Sequence, residues 1–295
     1  MPGRRDSESV SGPDRLGLLG KQPHEFVLWR LADVGVRPHV TPMEVAASGE
    51  WWDSVLTDPA RRELLDPGQG GRLPSERAHR KRVQIEAMSR VVQALHSCHS
   101  IEGQVFRIVD FCGGSGHTAL VLAALLPNTQ VTIVDFNKTA LALAEQRALK
   151  LGLSNVRTCC ADVAIFDENF DLGLALHACG SATDQALAKC RMARACFVVS
   201  PCCVGKVGKP AAPRPQSAGE CRDEDLPLPR STLFSSIVTA EEYIHVAAAA
   251  DFHSTEHPAP RRKAAKAMIE LDRLAAMQQV SQLGVRVKPS ECTLT

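Results

Sequence analysis

The sequence predicts an α/β protein built on a doubly wound, mostly parallel β-sheet, and two observations carry that expectation. First, the apolar runs Arg107 to Phe111, Val131 to Asp135, Val156 to Cys160, Asp171 to Leu176 and Ala195 to Ser200 alternate with helical patterns. Strands separated by helices of about 10 to 15 residues lie parallel, because each crossover must return the chain to the same end of the sheet. Second, the run RIVDFCGGSG passes from a β-branched strand through Asp110 into Gly113, Gly114 and Gly116, and His117 to Leu126 follows with helical spacing. Strand, tight turn and helix in that order leave free N–H groups at a strand end, where they can hold a ligand.

Taken in order, residues 1–20 are rich in Gly, Ser, Pro and charge and are expected to be a disordered tail. Residues 21–70 mix apolar positions with Trp29, Trp51, Trp52, Pro38 and Pro42, the pattern of a small helical lead-in. Asp66-Pro-Gly-Gln-Gly-Gly71 breaks the chain, so the main unit is expected over residues 73–295. Its first helix covers Ser75 to Leu95, with Val83, Ile85, Met88, Val91, Val92 and Leu95 on one face. Within the alternation, the helix Thr139 to Leu151 is closed by Gly152, and Ala182 to Cys190 forms the next. Residues 206–230 are Pro-rich and without periodicity, which predicts a mobile insertion. Arg261 to Gln282 is expected as a long helix with Ala265, Met268, Ile269, Leu271, Leu274, Ala275 and Leu283 towards the sheet, and Gly284 to Lys288 as a short strand.

Composition narrows the class. A chain of 295 residues with 44% hydrophobic and 23% charged residues can bury one sizeable core. A formal net charge of +1 gives no global bias towards nucleic acid or membrane, and 4% aromatics do not make a base-stacking platform. No window is long and apolar enough to span a bilayer. Eleven cysteines without an apolar leader point to free thiols in a reducing compartment, so the expected location is cytoplasmic.

Gly114-Ser-Gly116-His-Thr-Ala119 fits the dinucleotide pattern G-x-G-x-x-A, with Asp135 at the spacing of a ribose-binding acid. Three details favour S-adenosylmethionine over NAD. Asp110 ends the strand before the turn, where an acid orders the loop and the methionine ammonium but would repel a pyrophosphate. Asp162 follows the third strand, in position to receive the adenine amino group. After the fourth strand comes His177-Ala-Cys-Gly180, without the Ser, Tyr and Lys set of a short-chain dehydrogenase. The alternative for Asp135 is a helix cap.

The blocks DFCGGSGHTALVLAALLP, TIVDFN, LGLSNV, FDLGLALHACGSATD and FVVSPCCVGK resemble the methyltransferase domain of the glutathione S-transferase C-terminal domain-containing family. The resemblance runs from about Leu73 to the end, and the wider family includes a tRNA ribose 2′-O-methyltransferase. It implies a seven-stranded class I (Rossmann-like) methyltransferase fold with S-adenosylmethionine as cofactor. Carried over, Asp110, Gly113, Gly114 and Gly116 contact the methionine end, Asp135 the ribose and Asp162 the adenine. Cys112 departs from the commonest turn, which has glycine two residues after the acid. The family continues past Pro-x-x-Cys-Thr with an apolar strand, whereas this chain stops at CTLT, so the final strand is expected to be missing.

Methyl transfer needs alignment, and a base only if the acceptor loses a proton. His177 is the candidate base or hydroxyl-orienting group, with Asp184 fixing its tautomer; the alternative is that both only serve a turn and a helix start. His177, Cys179, Cys202 and Cys203 form a conceivable zinc set, but H-x-C and adjacent C-C are not the C-x₂-C of structural sites, so no metal is expected. Basic runs at Arg77, Arg80, Lys81, Arg82 and at Arg261, Arg262, Lys263 are either solvated helix faces or phosphate contacts. The expected function is a methyltransferase with RNA as the leading acceptor. The competing reading is a cofactor-binding domain without turnover that serves as an interaction module. A glutathione transferase activity is set aside, since residues 1–70 are too short for that fold.

Overall fold

The computed structural model describes residues 23–35, 50–69, 73–207, 227–251 and 259–281. The tail at 1–20, most of the Pro-rich stretch, the strand at Gly284 to Lys288 and the chain end lie outside the described residues. In chain order the elements are α1 (Pro23–Asp33), α2 (Glu50–Val55), α3 (Pro59–Leu65), α4 (Ser75–His99), β1 (Phe106–Phe111), α5 (His117–Leu125), β2 (Thr129–Asp135), α6 (Lys138–Lys150), β3 (Val156–Cys160), β4 (Leu172–Leu176), α7 (Ser181–Ala193), β5 (Cys196–Ser200), α8 (Thr232–Ser235), α9 (Ala240–Asp251) and α10 (Ala259–Ser281).

Among the described residues the sheet has five strands in the order β3-β2-β1-β4-β5, and every pairing is parallel. The expected α/β fold is the one observed. The chain winds outwards from β1 to β3, then returns to β4 on the other side of β1. This reversal opens a crevice beyond the carboxyl ends of β1 and β4, where ligands of such sheets bind.

Alternation along β1 explains the layers. Phe106 and Ile108 join a core with Trp51, Trp52, Leu65, Ile85, Val92 and the apolar body of α5. Val109 and Phe111 face the other way, into a core with Phe166, Phe170, Ala186 and Cys190. Both faces are covered, so the strands are apolar throughout. Helix α5, HTALVLAAL, is apolar all round because its surroundings leave almost none of it in water. The turn after α6 is a Schellman cap: Gly152 at φ +67° lets its N–H reach Leu149 O at 3.1 Å, and the Leu153 N–H reaches Ala148 O at 3.0 Å.

The helices ahead of residue 73 are tied into this core. Leu65 is fully buried in it, and Asp66 forms a two-pronged ion pair with Arg82 of α4, with contacts of 2.6 and 2.7 Å. A third core unites α1, α9 and α10 through Val27, Leu31, Tyr243, Val246, Ala265, Met268 and Ile269. The expected sheet-facing side of α10 is therefore corrected: Ala265, Met268 and Ile269 pack on α1 and α9, and Leu274 is 42% exposed. Leu283 lies outside the described residues. Helices α8 and α9 stand where the sequence pattern above assigns no element. A local signal for α9 exists, since Thr239 and Glu242 form a reciprocal capping box: the Glu242 N–H donates to Thr239 Oγ1 at 3.3 Å, and the Thr239 N–H to Glu242 Oε2 at 2.9 Å.

Candidate active site

The glycine turn leaves β1 at Asp110 and enters α5 at His117. Gly116 holds φ +73° as the N-cap of α5, which no side chain caps. Gly113 is required by space: a Cβ there would lie 2.8 Å from both Asp110 Oδ2 and Ile133 Cγ2. The turn is thus pressed onto the strand ends.

Parallel register brings two of the expected acids to one edge. Asp135 pairs with Cys160 at the ends of β2 and β3, and Asp162 lies two residues further on. Asp135 Oδ2 accepts from the Gly114 N–H at 2.9 Å and Oδ1 from the Asn137 N–H at 2.8 Å. The cap of α6 is Asn137, which accepts from the Ala140 N–H at 3.1 Å, so Asp135 is not the helix cap. Asp162 does cap a turn, accepting from the Ala164 N–H at 2.9 Å. Asp110 lies buried at the end of β1. It is 2% exposed, it accepts from the Ala119 N–H, and its carboxyl is pushed up to about 7 by burial, with Asp135 adding to the rise. It packs against the turn, where a Cβ on Gly113 would meet its Oδ2 at 2.8 Å.

The second expected pair is not formed. Both oxygens of Asp184 are taken by arginines: Arg273 Nε donates to Oδ1 at 2.9 Å, Arg273 Nη2 to Oδ2 at 3.1 Å and Arg230 Nη2 to Oδ2 at 2.9 Å. Burial alone would raise this carboxyl, but the two guanidiniums outweigh it and hold it below the usual range. Asp184 is thereby corrected from a tautomer-fixing partner to the anion of a buried ion cluster. His177 is exposed at the end of β4 with φ +68°, and its N–H donates to Ser200 O at 3.2 Å. Cys112 at the end of neighbouring β1 has φ +57°. Two non-glycine residues in the left-handed region thus flank the crevice, a strain that packing must hold in place.

Three cations surround this edge, of which only Lys81 stands out in the sequence. Arg147 of α6 donates from Nη1 to Ser115 O at 2.9 Å and from Nε to Leu64 O at 2.9 Å, and its Nη2 stands 3.3 Å from His117 Nδ1. Burial, then Arg147 and Lys81, hold His117 down to about 3, so its ring is neutral. Burial, then Lys81 and Lys266, lower His177 as well. Lys81 therefore lies near both imidazoles. The rest of its basic run is dispersed, since successive residues on a helix point about 100° apart: Arg80 is exposed beside Glu76 at 3.8 Å, and Arg82 is bound to Asp66. His117 was detectable as the first helical residue after the turn. Arg147 and Lys266 had no signal.

Cys179, Cys202 and Cys203 also meet at this edge, their sulfurs all within 4.8 Å of one another. The described cysteines are all free thiols. No helix among the described residues is long and apolar enough to cross a membrane.

Comparison with known proteins adds a family. Residues 80–210 match the profile of a family described as a methyltransferase domain. The glutathione S-transferase C-terminal domain-containing protein of Mus musculus is 30% identical over 285 residues, covering 95% of this chain and 40% of its own length. The Homo sapiens protein of that name is 33% identical over 228 residues, covering 76% of this chain and 33% of its own length. The homolog of Drosophila melanogaster is 32% identical over 242 residues, covering 78% of this chain and 38% of its own length. The chain thus spans about 40% or less of the length of these relatives. Among solved structures, a SAM-dependent O-methyltransferase of Thermotoga maritima overlaps 46% of this chain and 46% of its own at 19% identity and TM-score 0.33, too shallow an overlap to weigh.

Proposed function

We propose that this chain, whose residues 80–210 match a methyltransferase-domain family, transfers the methyl group of S-adenosylmethionine to RNA. The observation that carries the reading is the convergence of the glycine turn, Asp135, Asp162 and His177 on the carboxyl edge of one parallel sheet.

The residues fit the cofactor. Each oxygen of Asp135 takes one backbone N–H and keeps lone-pair capacity for a ribose hydroxyl. Asp162 stands at the neighbouring strand end, where its carboxylate would accept from the adenine amino group, and Gly114, whose nearest neighbour to a Cβ would be Asp135 Oδ2 at 3.8 Å, leaves the backbone open to the methionine end. When bound, the cofactor supplies a methyl group on a positively charged sulfur, ready for in-line displacement. The protein's share is alignment. A neutral His177 ring is positioned to accept the proton of an attacking hydroxyl. Lys81, Arg147 and Lys266 put positive charge around this edge, which suits a phosphate backbone.

Titration calorimetry with S-adenosylmethionine on wild type and on Asp135→Ala tests the shared premise. Saturable binding by wild type, weakened at least tenfold in the variant, is expected; no binding by wild type refutes the reading. Transfer of labelled methyl into total RNA, compared with a protein extract, tests the acceptor. Label in RNA that falls steeply with salt and with Lys81→Ala supports it. Label in protein alone, or none from a well-folded sample that binds the cofactor, refutes RNA and favours another acceptor or an interaction module.

A further inference from the structure

At the carboxyl ends of β4 and β5, two loops bring three thiols face to face. Cys179 Sγ lies 3.0 Å from Cys202 Sγ, Cys202 Sγ lies 4.0 Å from Cys203 Sγ, and all three fall within 4.8 Å of one another. The sequence offers these thiols, with His177, as a conceivable zinc set and argues against it from their spacing; in the structure the three sulfurs meet although Cys179 stands 23 residues from Cys202. Adjacent parallel strands supply the proximity, with Leu176 beside Ser200 in the ladder.

The meeting is held by contacts that do not involve sulfur. The Val204 and Gly205 N–H groups donate to the Asp251 carboxylate at 3.0 and 2.6 Å, fixing the loop that carries Cys202 and Cys203. Lys266 Nζ donates to Pro201 O and, at 3.3 Å, to Cys202 O. On the other loop, Gly180 O accepts from Arg273 Nη2 at 2.9 Å. Gly180 also packs so closely on Lys206 that a Cβ there would lie 3.0 Å from Lys206 Cβ. The thiols are therefore preorganised by the backbone, and Lys266 places a positive charge beside them.

We propose that Cys179, Cys202 and Cys203 bind a thiophilic d¹⁰ cation, Zn²⁺, through three thiolates. Zinc–thiolate bonds are about 2.3 Å long, so sulfurs of a tetrahedral set stand about 3.8 Å apart; the separations of 3.0 and 4.0 Å bracket that value. Each thiol releases its proton to solvent as its sulfur binds the ion. Three thiolates and one dication carry net charge −1, which the Lys266 ammonium offsets. Such a set leaves one of four positions for a non-protein ligand, and it would tie the loop that carries His177 and Cys179 to the loop after β5.

The test uses the full chain, reduced and stripped of metal, titrated with Zn²⁺ in competition with a chromophoric chelator and separately with Co²⁺. One tightly held equivalent of Zn²⁺ and a sulfur-to-cobalt charge-transfer band in the near ultraviolet are expected. Cys203→Ser and Cys179→Ser each weaken uptake at least tenfold, whereas Cys98→Ser, at an exposed position of α4, leaves it unchanged. The wild-type cobalt spectrum stands even if a variant misfolds. Absence of saturable uptake by reduced wild type, a cobalt spectrum without that band, or uptake indifferent to Cys203→Ser overturns the proposal. So does a Cys179–Cys202 disulfide that persists in reducing buffer. None of these outcomes bears on S-adenosylmethionine binding, which is measured separately.

Discussion

Replacing Asp184 with alanine separates an architectural role from a chemical one. The side chains of Asp184, Arg273 and Arg230 are 4%, 2% and 7% exposed, so the cluster sits almost wholly out of water. Its members come from α7, α10 and the segment before α8, and Arg273 also holds Gly180 O. Truncating the anion that these two arginines share takes the carboxylate from between two buried guanidiniums, while Glu270 stays 3.0 Å from Arg273. Breaking a buried ion pair by removing one partner costs about 3–5 kcal/mol, a large part of the about 5–15 kcal/mol that holds a domain folded. The assay is urea unfolding followed by the fluorescence of the buried Trp51 and Trp52. The expected result is an early transition for Asp184→Ala, a similar one for Arg273→Ala, and a double variant that loses less than the sum. Because the folded Asp184 carboxyl is depressed, its contribution is present above the unfolded value of about 3.9 and is lost as pH falls below it. A wild-type transition together with abolished methyl transfer would refute this reasoning and return Asp184 to the reaction.

Two further perturbations concern the turn. Asp110 has a folded value of about 7, raised above its unfolded one, so its contribution to stability is full below about pH 4 and is lost as pH rises through 7. At about 1.36 kcal/mol per unit this amounts to about 4 kcal/mol; Asp110→Asn, whose amide oxygen can still accept from Ala119, is expected to gain on wild type in thermal melts at pH 8 but not at pH 4, and parallel pH profiles would contradict it. Gly113→Ala forces a methyl against Asp110 and Ile133, and overpacking of this kind costs about 1–3 kcal/mol. The melting temperature should fall and cofactor affinity should weaken; an unchanged melt would show that the turn has room to move.

The strands and the glycine turn were legible because their signals are local. Apolar runs of five or six residues, interrupted by helical periods, register in the sequence wherever both sheet faces are covered. Asp135 and Asp162 were legible for the same reason, since a strand end is a sequence position before it is a place. Helix α9 went unread, although Thr239-x-x-Glu242 marks its start locally. The face of α10 was not legible: Leu274 has the spacing of a core residue and is exposed, while Asp272 and Arg273 are buried, because polar partners across space decide their cost.

By itself the sequence determined the α/β class, the order of strand and helix, and a glycine turn after β1, all set by backbone preferences and patterning within short windows. Only the tertiary structure decided which charged groups meet. Asp184 finds Arg273 across 89 residues, Arg147 bridges Leu64 and Ser115 across 83 and 32, and Cys179 meets Cys202 across 23. Electrostatic and thiol contacts act over a few ångströms of space regardless of chain distance, so their partners emerge only once the parallel sheet has brought the loops to one edge.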